Sequence, residues 1–177
     1  MSFLPYQPAD IAEPRALVEA IRARRGGALL NLDRMLLHSP PLAEGWNGFL
    51  RAIRTELTVS PKLRELAICV VAVLNGADYE YRQHAPHFIA AGGTQNQLEA
   101  ARLVATPQFD SSLFDAGELA IIGLAVQMTR NIRVSHETLT AARDAVGTDR
   151  HMVEMVGVIA AFNMVSRFLV ALDVEGN

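Results

Sequence analysis

Apolar–polar alternation with period two is almost absent from this 177-residue chain. Apolar residues recur instead at intervals of three and four, the spacing of helices that each bury one face. This pattern excludes a sheet scaffold and predicts an all-α protein. Helix punctuation divides the pattern into elements. Ser39-Pro40 and Ser60-Pro61 each pair a capping residue with proline at the first helical position. Gly92-Gly93 stops one helix, and Thr94-x-x-Gln97 forms a capping box for the next. Asp115-x-x-Glu118, Ser135, Gly147 and Asp149 mark the later boundaries. The predicted helices cover 14–25, 29–37, 41–57, 61–75, 77–91, 95–104, 116–130, 136–146 and 150–172. Residues 1–12, with Pro5 and Pro8, form an extended arm, and 105–114, with Pro107, a loop. No repeat, low-complexity tract or long linker interrupts the chain, so residues 1–177 are expected to form a single domain.

Half the residues are hydrophobic and 20% are charged, an apolar balance that predicts surface shared with another subunit. A net charge of −3 without basic clusters argues against nucleic acid as a partner. One cysteine excludes an internal disulfide and fits a reducing compartment. The N-terminal segment lacks the basic and apolar regions of a signal peptide. The longest apolar runs, LAICVVAVL and MVGVIAAF, fall short of the roughly 20 residues of a membrane span. A soluble, cytoplasmic protein with no membrane partner is expected.

Chemistry concentrates between Pro61 and Gly92, where Glu65, Glu80, His84 and His87 stand in apolar surroundings. Ionisable groups are costly to bury without partners, so such a helix pair can line a site. Glu80 and His84 are four apart, within reach of a carboxylate–imidazole hydrogen bond. Two readings follow. One is a general acid/base oriented by its carboxylate; the other is a solvated ion pair on an ordinary helix. Glu80-x3-His84-x2-His87 also carries metal-ligand residue types. Pro86 kinks the turn between the two imidazoles, and no metal is expected. Glu65 is either a desolvated carboxyl of raised pKa or the exposed, dipole-favoured start of its helix beside Lys62 and Arg64. Cys69 is a small buried hydrophobe, with no second thiol for a dithiol cycle.

The last helix is apolar nearly all round and is expected in a core or an oligomer interface. Asn163 and Arg167 interrupt it, four apart. A buried arginine there needs a carboxylate, such as Glu65 or Glu80, or an anionic substrate; a structural ion pair is the rival reading. Trp46 is expected to pack a core, and His38, His136 and His151 carry no assigned chemistry.

Two segments, RELAICVVAVLNGADYEYRQHAPHFIAAG and AAFNMVSRFLVALDVE, resemble the carboxymuconolactone decarboxylase / alkylhydroperoxidase-D (AhpD-like) family. The resemblance implies an all-α helical bundle and a homo-oligomer: trimer, hexamer or dimer. Peroxidase members carry Glu, eleven residues, Cys-x-x-Cys, three residues and His. Counted from Glu65, Ala77 and Glu80 stand where the cysteines would be, and His84 matches the histidine. Dithiol peroxide reduction therefore lacks its chemistry, since it needs a thiolate and a resolving thiol. The resemblance instead implies a lyase or isomerase of aromatic-compound catabolism, working without metal or organic cofactor. Its substrate would be a small unsaturated carboxylate or lactone. His84, Glu80 and Glu65 are then the expected catalytic residues, with Arg167 and Asn163 binding the substrate carboxylate. A catalytically silent binding or scaffold protein is one alternative, and peroxidase activity through Cys69 with an external thiol another.

Overall fold

The computed structural model describes residues 2–176. Among them there are nine α-helices, one short 3-10 turn and no strand. The helices are α1 (Arg15–Arg25), α2 (Asn31–Leu36), α3 (Pro40–Thr55), α4 (Pro61–Leu74), α5 (Asp78–Ala90), α6 (Gln95–Ala101), α7 (Ala116–Arg130), α8 (His136–Val146) and α9 (Asp149–Ala171). Each lies within three residues of its predicted boundaries. The 105–114 loop contains the 3-10 turn Ser111–Leu113.

The caps explain why the boundaries are legible. The Ser60 hydroxyl accepts from the Leu63 N–H. Thr94 with Gln97 and Asp115 with Glu118 close reciprocal capping boxes. Gly147 ends α8 in the left-handed region at φ 82°. Ser39 occupies its N-cap position but makes no side-chain cap hydrogen bond; Pro40 alone sets that start. Gly93 has a different role. A Cβ there would lie 2.2 Å from the Phe88 ring, so only glycine lets the chain turn against this fully buried side chain.

The described residues group into two compact units. The first comprises residues 2–57 with 168–176, the second residues 58–167. In the first unit, the N-terminal arm is tied down by polar contacts. The Phe3 N–H donates to the Leu172 carbonyl at 2.9 Å, and Arg22 Nη2 to the carbonyls of Ala9 and Ile11. Trp46 packs against Phe168 with ring centroids 5.1 Å apart, as a core residue. Buried Asp33 receives Arg25 through both carboxylate oxygens. Burial and the neighbouring Arg25 lower the Arg24 pKa to about 10.

In the second unit α4 is central. Leu66, Ala67, Ile68, Cys69, Val70, Val71 and Ala72 are all essentially inaccessible, so this helix is enclosed on every side, mainly by α5 and α7. Helix α9 departs from expectation in two ways. It is one-sided, with Met155, Val158, Ile159, Phe162 and Val165 buried while Val153, Ala160, Met164 and Arg167 are exposed. Its 23 residues are also long and apolar enough to cross a membrane by length and composition, with half of that stretch buried within the protein. Counting uninterrupted apolar runs underestimates it, because polar residues such as Asn163 and Ser166 sit on its buried side.

Candidate active site

Within the second unit, α4 and α5 run against each other and bring Glu65 to His84. The His84 Nδ1 lies 2.6 Å from Glu65 Oε2, a short charge-assisted contact. Its Nε2 lies 3.5 Å from Glu80 Oε2, one helical turn earlier on α5. All three side chains are buried, and His84 is 1% exposed. The solvated-pair reading of Glu80 and His84 is therefore wrong. Spacing along one helix cannot report what a second helix covers.

Glu65 is not the exposed start of α4 either. Arg64 folds back on it, with Nε 3.2 Å and Nη2 3.1 Å from Oε1. One carboxylate oxygen thus faces a guanidinium and the other an imidazole. Burial acts to raise the Glu65 pKa, but the hydrogen bond and charge of His84, joined by Arg64, outweigh it and hold it below the usual value. The raised carboxyl pKa expected from desolvation alone is corrected by these partners. Burial likewise acts to lower the His84 pKa, but hydrogen bonds and charges from Glu65 and Glu80 prevail and raise it. The result is an imidazole between two carboxylates that both favour its protonated form, enclosed by apolar side chains. Phe162 of α9 presses edge-on to the His84 ring, with centroids 4.8 Å apart at 82°.

His87 is exposed, with its ring centroid 5.9 Å from that of His84. It does not join Glu80 and His84 as a third ligand. Among the described residues no group of three His, Cys, Asp or Glu side chains is arranged to hold a metal ion. Cys69 is fully buried, and burial, with the charge of Glu65, pushes its thiol up to about 12. Tyr81 pins α5 to α6 by donating to the Leu98 carbonyl at 2.8 Å.

Residues 40–120 match the model described as the Carboxymuconolactone decarboxylase family. Over that stretch, a little under half of the chain, the sequence resembles this family. The match spans Glu65, Glu80 and His84 and ends before α9. No curated protein sequence matches significantly. Among solved structures, an uncharacterized peroxidase-related protein from Silicibacter sp. TM1040 is 19% identical, with 99% of this chain and 92% of that chain covered and a TM-score of 0.78. A cysteine-to-alanine variant of the debrominase Bmp8, in complex with 2,3,4-tribromopyrrole, is 18% identical, with coverages of 100% and 94% and a TM-score of 0.76. A protein of unknown function from Agrobacterium tumefaciens, for which an AhpD antioxidant-defence role has been suggested, is 13% identical, with coverages of 81% and 95% and a TM-score of 0.69. At these identities the likeness shows the fold, and the all-α AhpD-like architecture is that of this chain.

Among the described residues, Asn163 and Arg167 make no hydrogen bond or ion pair with Glu65, Glu80 or His84. Asn163 is buried and spends all its hydrogen-bonding capacity within the protein. Its Oδ1 accepts from Asn75 Nδ2 at 3.0 Å and Arg167 Nη1 at 2.7 Å. Its Nδ2 donates to Thr129 Oγ1 and the Ile159 carbonyl, both at 3.0 Å. Arg167 is exposed rather than buried, and among the described residues it has no carboxylate partner. The expected pairing with Glu65 or Glu80 does not form; those carboxylates are taken by Arg64 and His84. Sequence analysis did not find the Arg64 clamp or the Asn75 and Thr129 partners. Neighbours in sequence on a helix normally diverge, and residues at helix ends carry no periodic signal.

Proposed function

We propose that the chain is a cofactor-independent, thiol-independent acid/base enzyme, a lyase or isomerase acting on a small unsaturated carboxylate or lactone. The observation that carries this reading is the buried Glu65–His84 contact at 2.6 Å, flanked by Glu80, in a chain whose single thiol is inaccessible. His84 is the proton-carrying group, Glu65 holds its ring by Nδ1, and Glu80 favours protonation at Nε2. Arg167, steadied by Asn163, offers an unpaired guanidinium as an anchor for a substrate carboxylate. The binding of a small cyclic organic molecule by the debrominase with the same fold supports a ligand of that size. Peroxidase chemistry at Cys69 is disfavoured. With a thiol pKa of about 12, only roughly one thiol in 10⁵ ionises at pH 7.

A catalytically silent scaffold is the second reading. The observation favouring it is the enclosure of His84, locked between two helices and 1% exposed. Turnover of a panel of unsaturated lactones and muconate-like acids, followed by ultraviolet absorbance, separates the two. The enzyme reading expects activity that falls about a hundredfold or more in His84→Ala, the usual range for a positioned acid or base. Unchanged turnover in that variant overturns the role of His84. Absence of turnover across the panel favours the scaffold.

A further inference from the structure

A buried proton carrier poses a supply problem. His84 is 1% exposed, and a proton it gives up that substrate or product does not return, as when a departing carboxyl group is replaced by hydrogen, must come from solvent. Its polar neighbours do not provide the path. Glu65 and Glu80 are both buried, and Glu65 is engaged on its other oxygen by Arg64, whose guanidinium stays protonated and does not relay protons. Phe162 closes another side of the ring with an apolar edge.

One ionisable side chain against His84 does reach solvent. His87 is exposed, stands three residues later on α5, and holds its ring centroid 5.9 Å from that of His84 at an interplanar angle of 59°. The two rings are neighbours, so their nitrogens lie within the range that a single bridging solvent water can join. Pro86 lies directly before His87 and interrupts the helical hydrogen-bond pattern at this turn.

We propose that His87 is the proton relay between solvent and the buried His84, an assignment that rests on His84 being the proton-carrying group. In the transfer, a water between the rings gives a proton to His84 Nε2 and takes one from protonated His87. One proton moves inward, the water is regenerated, and His87 is reprotonated from bulk solvent. The reverse sequence exports a proton. His87 acts through His84 and is not required to touch the substrate.

The test needs no substrate. In protein carrying ¹⁵N-labelled histidine, the exchange rate of the His84 ring protons with water is measured by NMR for the wild type, His87→Ala and His87→Phe. Both substitutions are at an exposed position, and thermal melts check that each variant stays folded. Exchange is expected to slow about a hundredfold in both variants, the lower end of what a positioned proton carrier contributes. Free imidazole in the buffer is expected to restore the rate in His87→Ala, which leaves space for it, and not in His87→Phe. Unchanged exchange in both variants overturns the relay, as does slowing that imidazole fails to rescue in His87→Ala. Failure of the enzyme reading is a separate outcome, seen as unaltered turnover in His84→Ala while the exchange results stand.

Discussion

Two buried carboxylates in the same unit, Glu65 on α4 and Glu118 on α7, have opposite surroundings. Glu118 is met by a lysine on one oxygen and by neutral donors on the other. Lys62 Nζ lies 2.6 Å from its Oε1, while Gln97 Nε2 at 2.9 Å and the Asp115 N–H at 3.0 Å share Oε2. None of these donors is an imidazole, and the cluster ties the starts of α4 and α7 to α6. Glu65 instead shares its charge with an imidazole that a second carboxylate, Glu80, also approaches. The difference lies in what a proton can do. Around Glu118 there is nowhere for it to go, so the carboxylate is a staple. Around Glu65 a proton has a residence at His84 and competing neighbours, the arrangement from which acid/base chemistry is built. Burial alone does not separate a site from a staple; the nature of the partner does. A single helix, α4, feeds both, with Lys62 turned to one cluster and Glu65, three residues on, to the other.

The largest expected effect breaks the staple. Glu118→Ala leaves Lys62, Gln97 and the Asp115 N–H without their acceptor and is expected to lower unfolding stability by about 3 kcal/mol in urea melts. A loss below about 1 kcal/mol shows that solvent replaces the carboxylate, and the contrast fails. Glu65→Gln keeps an acceptor of the same shape and should cost less, about 1–2 kcal/mol. Its clearer signature is the His84 pKa, which is expected to fall when a carboxylate that raises it is removed. NMR titration checks this, and a pKa that does not move makes Glu65 another staple.

The pH dependence sharpens the comparison. The folded-state pKa of His84 is raised above 6.5, so its stabilisation is complete below that pH and is lost as pH rises through the folded value. That of Glu65 is lowered below 4.5, so its stabilisation is complete above 4.5 and is lost as pH falls through the folded value. The stability difference between wild type and Glu65→Gln is therefore expected to be greatest between pH 4.5 and 6.5. It should shrink on either side, as measured by denaturation across that range. A difference that is flat with pH contradicts the coupled pair. The smallest effect belongs to Cys69→Ala, expected to cost about 1 kcal/mol through lost packing and to leave any turnover unchanged. Its thiol should also resist alkylation in the native protein at pH 7, and rapid labelling would reopen thiol chemistry.

Helix order, boundaries and caps were legible in the sequence because they depend on neighbours three or four residues away. Ser60, Thr94 with Gln97, and Asp115 with Glu118 act within one turn, and each forms its expected bond. The candidate site was legible in part for the same reason, since Glu80 and His84 share one helix face. The Glu65–His84 contact spans 19 residues and two helices. Family resemblance named both residues as catalytic candidates, but neither it nor periodicity gave their contact. The exposure of Arg167 and the complete internal use of Asn163 left no periodic trace at all.

The amino-acid sequence by itself determined an all-α chain, the punctuation of its helices, and the lack of a second thiol, because propensity, capping and composition are local. Only the tertiary structure decided which carboxylates face an imidazole and which face a lysine, that the partners of Glu65 lower its pKa where burial alone would raise it, and that α9 buries one side rather than all. Those outcomes depend on which helix packs on which, and a pKa or a burial is a property of the surroundings rather than of the residue.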